Sequence, residues 1–248
     1  MDKNLTVYPS SPICIQQRHQ AISPLGVFIY KWHNIHMNKI IQGDCLKEIK
    51  GLKYDIVITD PPYNQDYKYD KYKDSLNEKD YIKLLSCIKR PAVIIHYPEQ
   101  TINILPKVMG ECDEVVSWTY STRMKKHHRL ISWWGCEPDF CKVKEPYAPA
   151  TLKDKRNQHK IKDGRCLKDV WNIPYVNNMN KEKTAHPCQI PEEVIKRIIL
   201  TTTKEGDTIL DPFAGSGTIL KVAKELNRNY IGIEISQEYV NIIKQRLL

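Results

Sequence analysis

The feature that most restricts how this chain can fold is the rhythm of its last third. Gly206-Asp207 turns the chain into Thr208-Ile209-Leu210, and a glycine-bearing turn, Asp211 to Thr218, opens a helix over 219–226. Asn229 to Ile235 reads as a strand ending near Glu234, and Ser236 can cap a last helix. Pro191 begins the preceding helix, through Ile199, as a first-position proline, with Glu192 and Glu193 where the helix dipole favours acids. Strands separated by helices return by crossovers rather than hairpins. The expectation is an α/β fold, a mostly parallel sheet with helices on both faces.

The same grammar starts at Met37. Ile40-Ile41 leads to Gly43-Asp44, Leu46 to Leu52 suits a helical turn, and Tyr54 to Thr59 is a strand. Residues 65–80 read as a polar loop, Tyr81 to Lys89 as a helix, Ala92 to His96 as a buried strand. Glu99 to Met109 reads as one more helix containing Pro106, and Val115 to Tyr120 as a strand. Residues 1–36 are rich in turn formers (Pro9, Ser10, Ser11, Pro12, Pro24) and are expected to be an N-terminal extension, leaving 37–248 as one domain. At 248 residues and 41% apolar, one domain with a substantial core is the expectation. No run approaches the length of a membrane span, and no signal-peptide pattern opens the chain, so a soluble cytoplasmic protein with no membrane partner is expected. The eight cysteines form no C-x-x-C pair. Reduced thiols, with neither a disulfide framework nor a metal site, follow as the expectation.

Charge is concentrated. Residues 121–168 hold 13 Lys and Arg against 5 Asp and Glu, a net +8 of the chain's +9. Arg123, Lys125, Lys126, His127, His128 and Arg129 are followed by Trp133 and Trp134, and the window lacks the long apolar periods of a core layer. Cations neutralise phosphates and aromatic rings stack on exposed bases, so this window is the candidate nucleic-acid surface. A solvated face is the plainer alternative.

In a parallel sheet the carboxyl ends of the strands are where ligands bind. Four such ends carry chemistry: Asp44, Asp60, the 211–218 turn and Glu234. Gly215 and Gly217 let backbone approach a ligand at a helix start, but Leu220 stands where a dinucleotide fingerprint would have its third glycine, and no phosphate-loop lysine follows. Asp211 would repel a pyrophosphate and suits an ammonium group, while Glu234 is placed to accept two ribose hydroxyls. A nucleoside carrying a cationic amino acid meets both demands, and S-adenosylmethionine is such a molecule.

Asp60-Pro61-Pro62-Tyr63 together with Asp211-Pro212-Phe213-Ala214-Gly215-Ser216-Gly217-Thr218 resembles the amino-methyltransferases of DNA, in particular the N6-adenine enzymes of permuted (beta-class) order, in which the catalytic motif precedes the cofactor motif. The likeness runs from about Met37 to Leu248, with Asp169 to Pro174 and His186-Pro187-Cys188-Gln189 as supporting segments; Cys188 and Ile219 depart from threonines common in the family. It implies a Rossmann-like class I methyltransferase fold of seven strands with a small target-recognition insertion, here 121–168. It also implies an S-adenosylmethionine site formed by Asp44, Cys45, Asp60, His186, Asp211, Phe213, Gly215, Ser216, Gly217, Thr218 and Glu234. Double-stranded DNA is the implied partner, with a cognate restriction endonuclease and a homodimer as further implied partners.

The chemistry of the first motif follows from its target. The amino nitrogen of adenine is a weak nucleophile because its lone pair is delocalised into the ring, so catalysis needs positioning and hydrogen-bond acceptors more than a covalent nucleophile. Asp60 and the Pro61 carbonyl can each accept one amino hydrogen, Pro61 and Pro62 stiffen the turn, and Tyr63 offers a face for the purine. A base inside a duplex cannot reach such a turn and must be flipped out. N4-cytosine methylation uses nearly the same turn, RNA could replace DNA, and a non-enzymatic DNA-binding subunit is the alternative outside enzymology. Cys188 as a nucleophile for C5-cytosine chemistry fits poorly, because such enzymes need no acid-Pro-Pro-Tyr turn.

Overall fold

A computed structural model describes residues 38–67, 74–121, 126–156 and 164–248; the expected extension, residues 1–36, lies outside the described residues. Its main sheet holds β1 (Lys39–Gln42), β2 (Ile56–Thr59), β3 (Ala92–His96), β4 (Glu114–Thr119), β5 (His128–Trp134), β8 (Val170–Asn172), β9 (Thr208–Asp211) and β10 (Asn229–Glu234). β6 (Lys144–Glu145) and β7 (Arg165–Cys166) form a separate antiparallel pair. The order across the main sheet is β1-β10-β9-β2-β3-β5-β4-β8. The first five are parallel, β5 runs antiparallel to both β3 and β4, and β8 is parallel to β4. Eight strands thus stand where seven are expected. The addition is β8, which seats Trp171 in the core at the sheet edge.

Alternation along the central strands explains why the sheet is covered on both sides. Ile56 and Ile58 of β2, Val93 and Ile95 of β3 and Ile209 of β9 belong to one apolar cluster. Val57, Ala92, Ile94 and Leu210, one residue out of step, belong to the other. Helix α6 (Glu192–Thr202) closes the first cluster with Val194, Ile195 and Ile198, and α7 (Thr218–Glu225) with Ile219 and Leu220. On the opposite face α2 (Glu78–Leu85) contributes Tyr81 and Leu85, and α4 (Leu105–Met109) contributes its two terminal residues. The expected Glu99–Met109 helix is divided into α3 (Pro98–Asn103) and α4 at Ile104, because Pro106 has no N–H to continue the ladder. Pro191 occupies the cap position of α6 rather than its first turn. Among the described residues no helix is long and apolar enough to cross a membrane.

Two expectations fail here for physical reasons. The basic window is not free of core: β5 lies inside it, between β3 and β4, and Trp133 and Trp134 are fully buried rather than offered to bases. Its short apolar run, Leu130 to Trp134, is masked in the sequence by the charged residues on either side. Nor are all the cysteines reduced, since Cys141 and Cys166 are disulfide-bonded with their Cα atoms 4.4 Å apart, joining the turn Phe140–Lys142 to β7. Their 25-residue separation leaves no local signal, and only pairing of β6 with β7 brings them together.

β10 is pressed from above at Gly232. A Cβ there would overlap Leu220 Cδ1 and lie 3.2 Å from the Ala214 Cβ. Gly232→Ala is therefore expected to cost about 1–3 kcal/mol by overpacking, read as a lower urea midpoint at unchanged slope. An unshifted midpoint would mean that Leu220 turns aside freely.

β9 and β2 are neighbours although 152 residues separate Thr59 from Asp211. From this pair the chain moves outward in opposite directions, β9 to β10 and β2 to β3. A crevice must open at their carboxyl ends, where the two sets of connections diverge.

Candidate active site

Both motifs empty into that crevice. Thr59, last residue of β2, donates its hydroxyl to Asp211 Oδ1 at 2.8 Å, tying the end of one strand to the end of the other. Beyond this clamp lies a cleft of about 1210 Å3 lined by Asp60, Pro61, Pro62 and Tyr63 on one side and by Asp211, Phe213, Gly215 and Glu234 on the other.

The Asp-Pro-Pro-Tyr turn is held by residues that the sequence motif does not include. Tyr81 Oη of α2 donates to the Pro62 carbonyl at 2.8 Å, and Gln100 Nε2 of α3 donates to the Tyr63 carbonyl at 2.8 Å. Behind Tyr81, His96 Nε2 lies 2.6 Å from the phenol, while the Tyr97 N–H donates to His96 Nδ1. Since the phenol proton goes to Pro62, the imidazole must be the neutral form protonated at Nε2. Burial, aided by Arg129 and Lys126, pushes its pKa down to about 3. Asn64, at φ 54°, exchanges two hydrogen bonds with the Leu76 backbone, and Asp74 accepts from the N–H groups of Asn64, Gln65 and Tyr67. With the Pro62 and Tyr63 carbonyls satisfied, the Pro61 carbonyl is the one in the Pro-Pro-Tyr segment without a hydrogen bond among the described residues.

Tyr81→Phe deletes the hydroxyl that holds the Pro62 carbonyl and that accepts from His96 Nε2. It is expected to lower kcat for methyl transfer about tenfold with cofactor affinity unchanged, since one neutral hydrogen bond is worth about 1 kcal/mol. A KM increase at constant kcat would assign Tyr81 to substrate binding instead.

Asp60 and Tyr63 are coupled. The Tyr63 hydroxyl donates to Asp60 Oδ1, and burial pushes the Asp60 pKa up to about 6 against the opposing Arg129 charge and the Tyr63 hydrogen bond. The Tyr63 ring packs on His96 at 4.6 Å and on Tyr97 at 4.7 Å, with the Arg129 guanidinium 4.9 Å from its centre.

On the other side, Glu234 at the end of β10 receives the Gly215 N–H on Oε2 and the Ser236 N–H on Oε1, each at 2.8 Å. Each oxygen keeps a second lone-pair direction. Burial raises its pKa, and burial likewise pushes Asp211 up to about 7 despite hydrogen bonds from Thr59 and the Phe213 N–H. Gly215 has φ +49° and would place a Cβ 3.1 Å from His186 Nε2. His186 is packed edge-on against Tyr239, and its pKa is pushed down to about 4, chiefly by burial. Ser216 and Thr218 share a hydroxyl hydrogen bond at 2.9 Å, and Arg246 of the last helix, α8 (Gln237–Arg246), donates to both the Ser216 carbonyl and Thr218 Oγ1. Asp44 accepts the Leu46 N–H at the start of the short helix α1 (Cys45–Glu48), while also lining the cleft beside Cys45.

The predicted residues divide as follows. Those of the two motifs line the cleft except Gly217, whose φ of +73° starts α7 and whose α-carbon faces Ile243. Asp44, Cys45 and His186 line it too. Of the basic candidates, Lys126 and Arg129 line it, His127 and His128 are exposed outside it, and Arg123 and Lys125 lie outside the described residues. Sequence reasoning misses Tyr81, Gln100, His96, Asn64, Asp74 and Arg246. Of these only Asn64, adjoining the motif, carries a signal that could have found it.

A glycine turn and an acid-Pro-Pro-Tyr turn on neighbouring strands of a doubly wound sheet define a Rossmann-like methyltransferase. Residues 92–245 match the N6/N4 methyltransferase family described as DNA methylase. The chain is 31% identical over 232 residues to the type II methyltransferase M.HpaI of Haemophilus parainfluenzae, covering 84% of this chain and 74% of that protein. It is 30% identical over 245 residues to the DNA adenine methyltransferase YhdJ of Escherichia coli (strain K12), covering 84% and 82%. Two solved structures share the fold: the M1.HpyAVI–SAM complex, with TM-score 0.57 at 22% identity over 85% of this chain and 99% of that one, and the cytosine-N4-specific PvuII DNA methyltransferase, with TM-score 0.61 at 17% identity over 84% and 86%. The chain belongs to the N6/N4 family of DNA methylases.

Proposed function

We propose that this protein transfers a methyl group from S-adenosylmethionine to the N6 amino group of adenine in a short, specific sequence of double-stranded DNA. The observation that carries this is the Thr59–Asp211 hydrogen bond, which puts an acceptor-lined turn and a carboxylate-lined nucleoside site at one crevice. The adenine-methylating relative YhdJ supports the choice of base. The donor set suits the cofactor: Glu234 for a ribose diol, Asp211 for an ammonium, and Gly215 backbone where a side chain would collide with His186. S-adenosylmethionine, when bound, supplies an electrophilic methyl on a sulfonium.

The chain's own part is positioning. Asp60 Oδ and the Pro61 carbonyl accept the two amino hydrogens of a flipped adenine, which turns the nitrogen lone pair toward the methyl for in-line transfer. Tyr81 and Gln100 keep the remaining two carbonyls of the turn out of competition. Residues 121–168 act as the target-recognition region of a 37–248 catalytic domain. Within it Lys142, Lys144, Lys153 and Lys155 are exposed and suited to phosphates. A cytoplasmic enzyme paired with a restriction endonuclease, as the type II relatives suggest, and acting as a homodimer, completes this reading.

The test is incubation of the full chain with labelled S-adenosylmethionine and mixed DNA, followed by nucleoside analysis. N6-methyladenine is the expected product. Label in N4-methylcytosine would move the protein to the other branch of its family, and no label in DNA would end the proposal.

A further inference from the structure

Arg129 is where the basic window and the cleft meet. β5 carries it to the wall of the cleft, half-buried, and its guanidinium carbon lies 4.9 Å from the centre of the Tyr63 ring, 5.3 Å from Trp118, 5.6 Å from Tyr97 and 6.0 Å from Tyr120. Its Nε is buried with no hydrogen-bond partner among the described residues. The aromatic surface that the turn would offer to a purine is thus covered by a flat cation set beside Asp60.

A guanidinium and the amino edge of adenine are alike in what they ask of such a site. Both are planar N–C–N groups that stack on rings through a π face and point N–H donors at acceptors in their own plane. The two cannot occupy the face of Tyr63 together. An orphaned Nε–H also means that this cage leaves part of the guanidinium unsatisfied, so that leaving it forfeits less than leaving a fully bonded site.

We propose that Arg129 is a displaceable stand-in for the target base: its guanidinium keeps the aromatic cage over Tyr63 closed, and a base is admitted only by expelling it. The proposal rests on reading the cleft as an adenine methyltransferase site and adds to it a residue that sets selectivity. A base that stacks and donates less well than the guanidinium fails to take its place. Lys126, whose ammonium lies 4.1 Å over Tyr97 and is paired with Glu99, marks the outer side of the same cage.

The test uses the full chain and a defined probe, 2-aminopurine 2′-deoxyriboside, whose fluorescence is quenched on stacking. Arg129→Ala and Arg129→Met are each expected to bind the probe about tenfold more tightly than wild type. Adding Tyr63→Ala to Arg129→Ala should erase the gain. S-adenosylmethionine affinity, measured on the same samples, reports whether the cleft is intact; if Ala and Met lose it, Arg129→Lys decides, with a smaller gain in the same direction. A variant that retains the cofactor but binds the probe no better than wild type overturns the proposal. Loss of cofactor binding in all three also overturns it, by making Arg129 a fixed post of the fold. Methyl transfer by the wild type is read separately: N6-methyladenine without a probe gain removes only the stand-in, whereas no transfer removes the reading beneath it.

Discussion

Asp60→Ala is expected to lower kcat for methyl transfer by about 10²–10³-fold while leaving binding of S-adenosylmethionine and of DNA near wild type, the range found when one preorganised hydrogen-bonding group is deleted from an active site. The carboxylate sits at the end of β2, where the strand fixes its position, and the neighbouring carbonyls are already held by Tyr81 and Gln100. Its removal therefore deletes an acceptor and frees the Tyr63 hydroxyl, while the backbone of the turn stays held. Asp60→Asn keeps the shape and one acceptor oxygen and should fall between the two. The pH profile gives an independent check. Burial pushes the Asp60 pKa up to about 6, so the acceptor is ionised above that value and protonated below it. Wild-type kcat/KM for DNA, measured with S-adenosylmethionine saturating at every pH, should fall as pH drops through about 6, and this limb should vanish in Asp60→Asn. Removing the Arg129 charge, which holds the Asp60 pKa down, should move the limb to higher pH in Arg129→Met. Full activity in Asp60→Ala, or loss of DNA binding along with activity, would contradict this role.

What was legible in the chain and what was not divides along the range of the interactions. The strand Ala92–His96 and the turn Asp211 to Thr218 are local patterns, and both stand where periodicity and glycine chemistry put them. The permuted order was legible as well, because the two motifs keep their own strands whichever comes first, and β9 beside β2 needs only that the sheet be doubly wound. The buttresses were not legible. Tyr81 reaches Pro62 across 19 residues and Gln100 reaches Tyr63 across 37, contacts that no periodicity encodes. β5 was lost for a different reason: charge dominates the 121–168 window, and a seven-residue strand whose first residue is exposed while its last four are buried shows no clean alternation. Arg129 is the telling case. A sequence of cations suggests an outward-facing surface, yet strand geometry turns alternate residues to opposite sides, and this one turns into the aromatic cage.

Asp211→Asn is the second large effect, expected to weaken S-adenosylmethionine binding about 10²-fold at pH 8, since an ammonium brought to this buried position would lose its charged partner. Three carboxylates, Asp60, Asp211 and Glu234, are brought to one cleft, and burial raises the pKa of each. Such a group of acids is costly to ionise alone and favourable to ionise beside a cation, which is the electrostatic complement of a ligand carrying sulfonium and ammonium charges. The sign of the pH dependence follows. Asp211 titrates at about 7 in the free protein, and a bound cation lowers that value. Affinity should therefore be full above about pH 7 and fall by about tenfold per pH unit below it, with binding accompanied by release of a proton. Calorimetry from about pH 5.5 to about pH 8.5, in buffers of different ionisation enthalpy, reads both the affinity and the proton. In Asp211→Asn the slope between about pH 6 and about pH 7 and the Asp211 proton should disappear together. A wild-type affinity that stays flat across that range would show that the ammonium is held elsewhere, and the assignment of the 211–218 turn to the amino-acid end of the cofactor would fall with it.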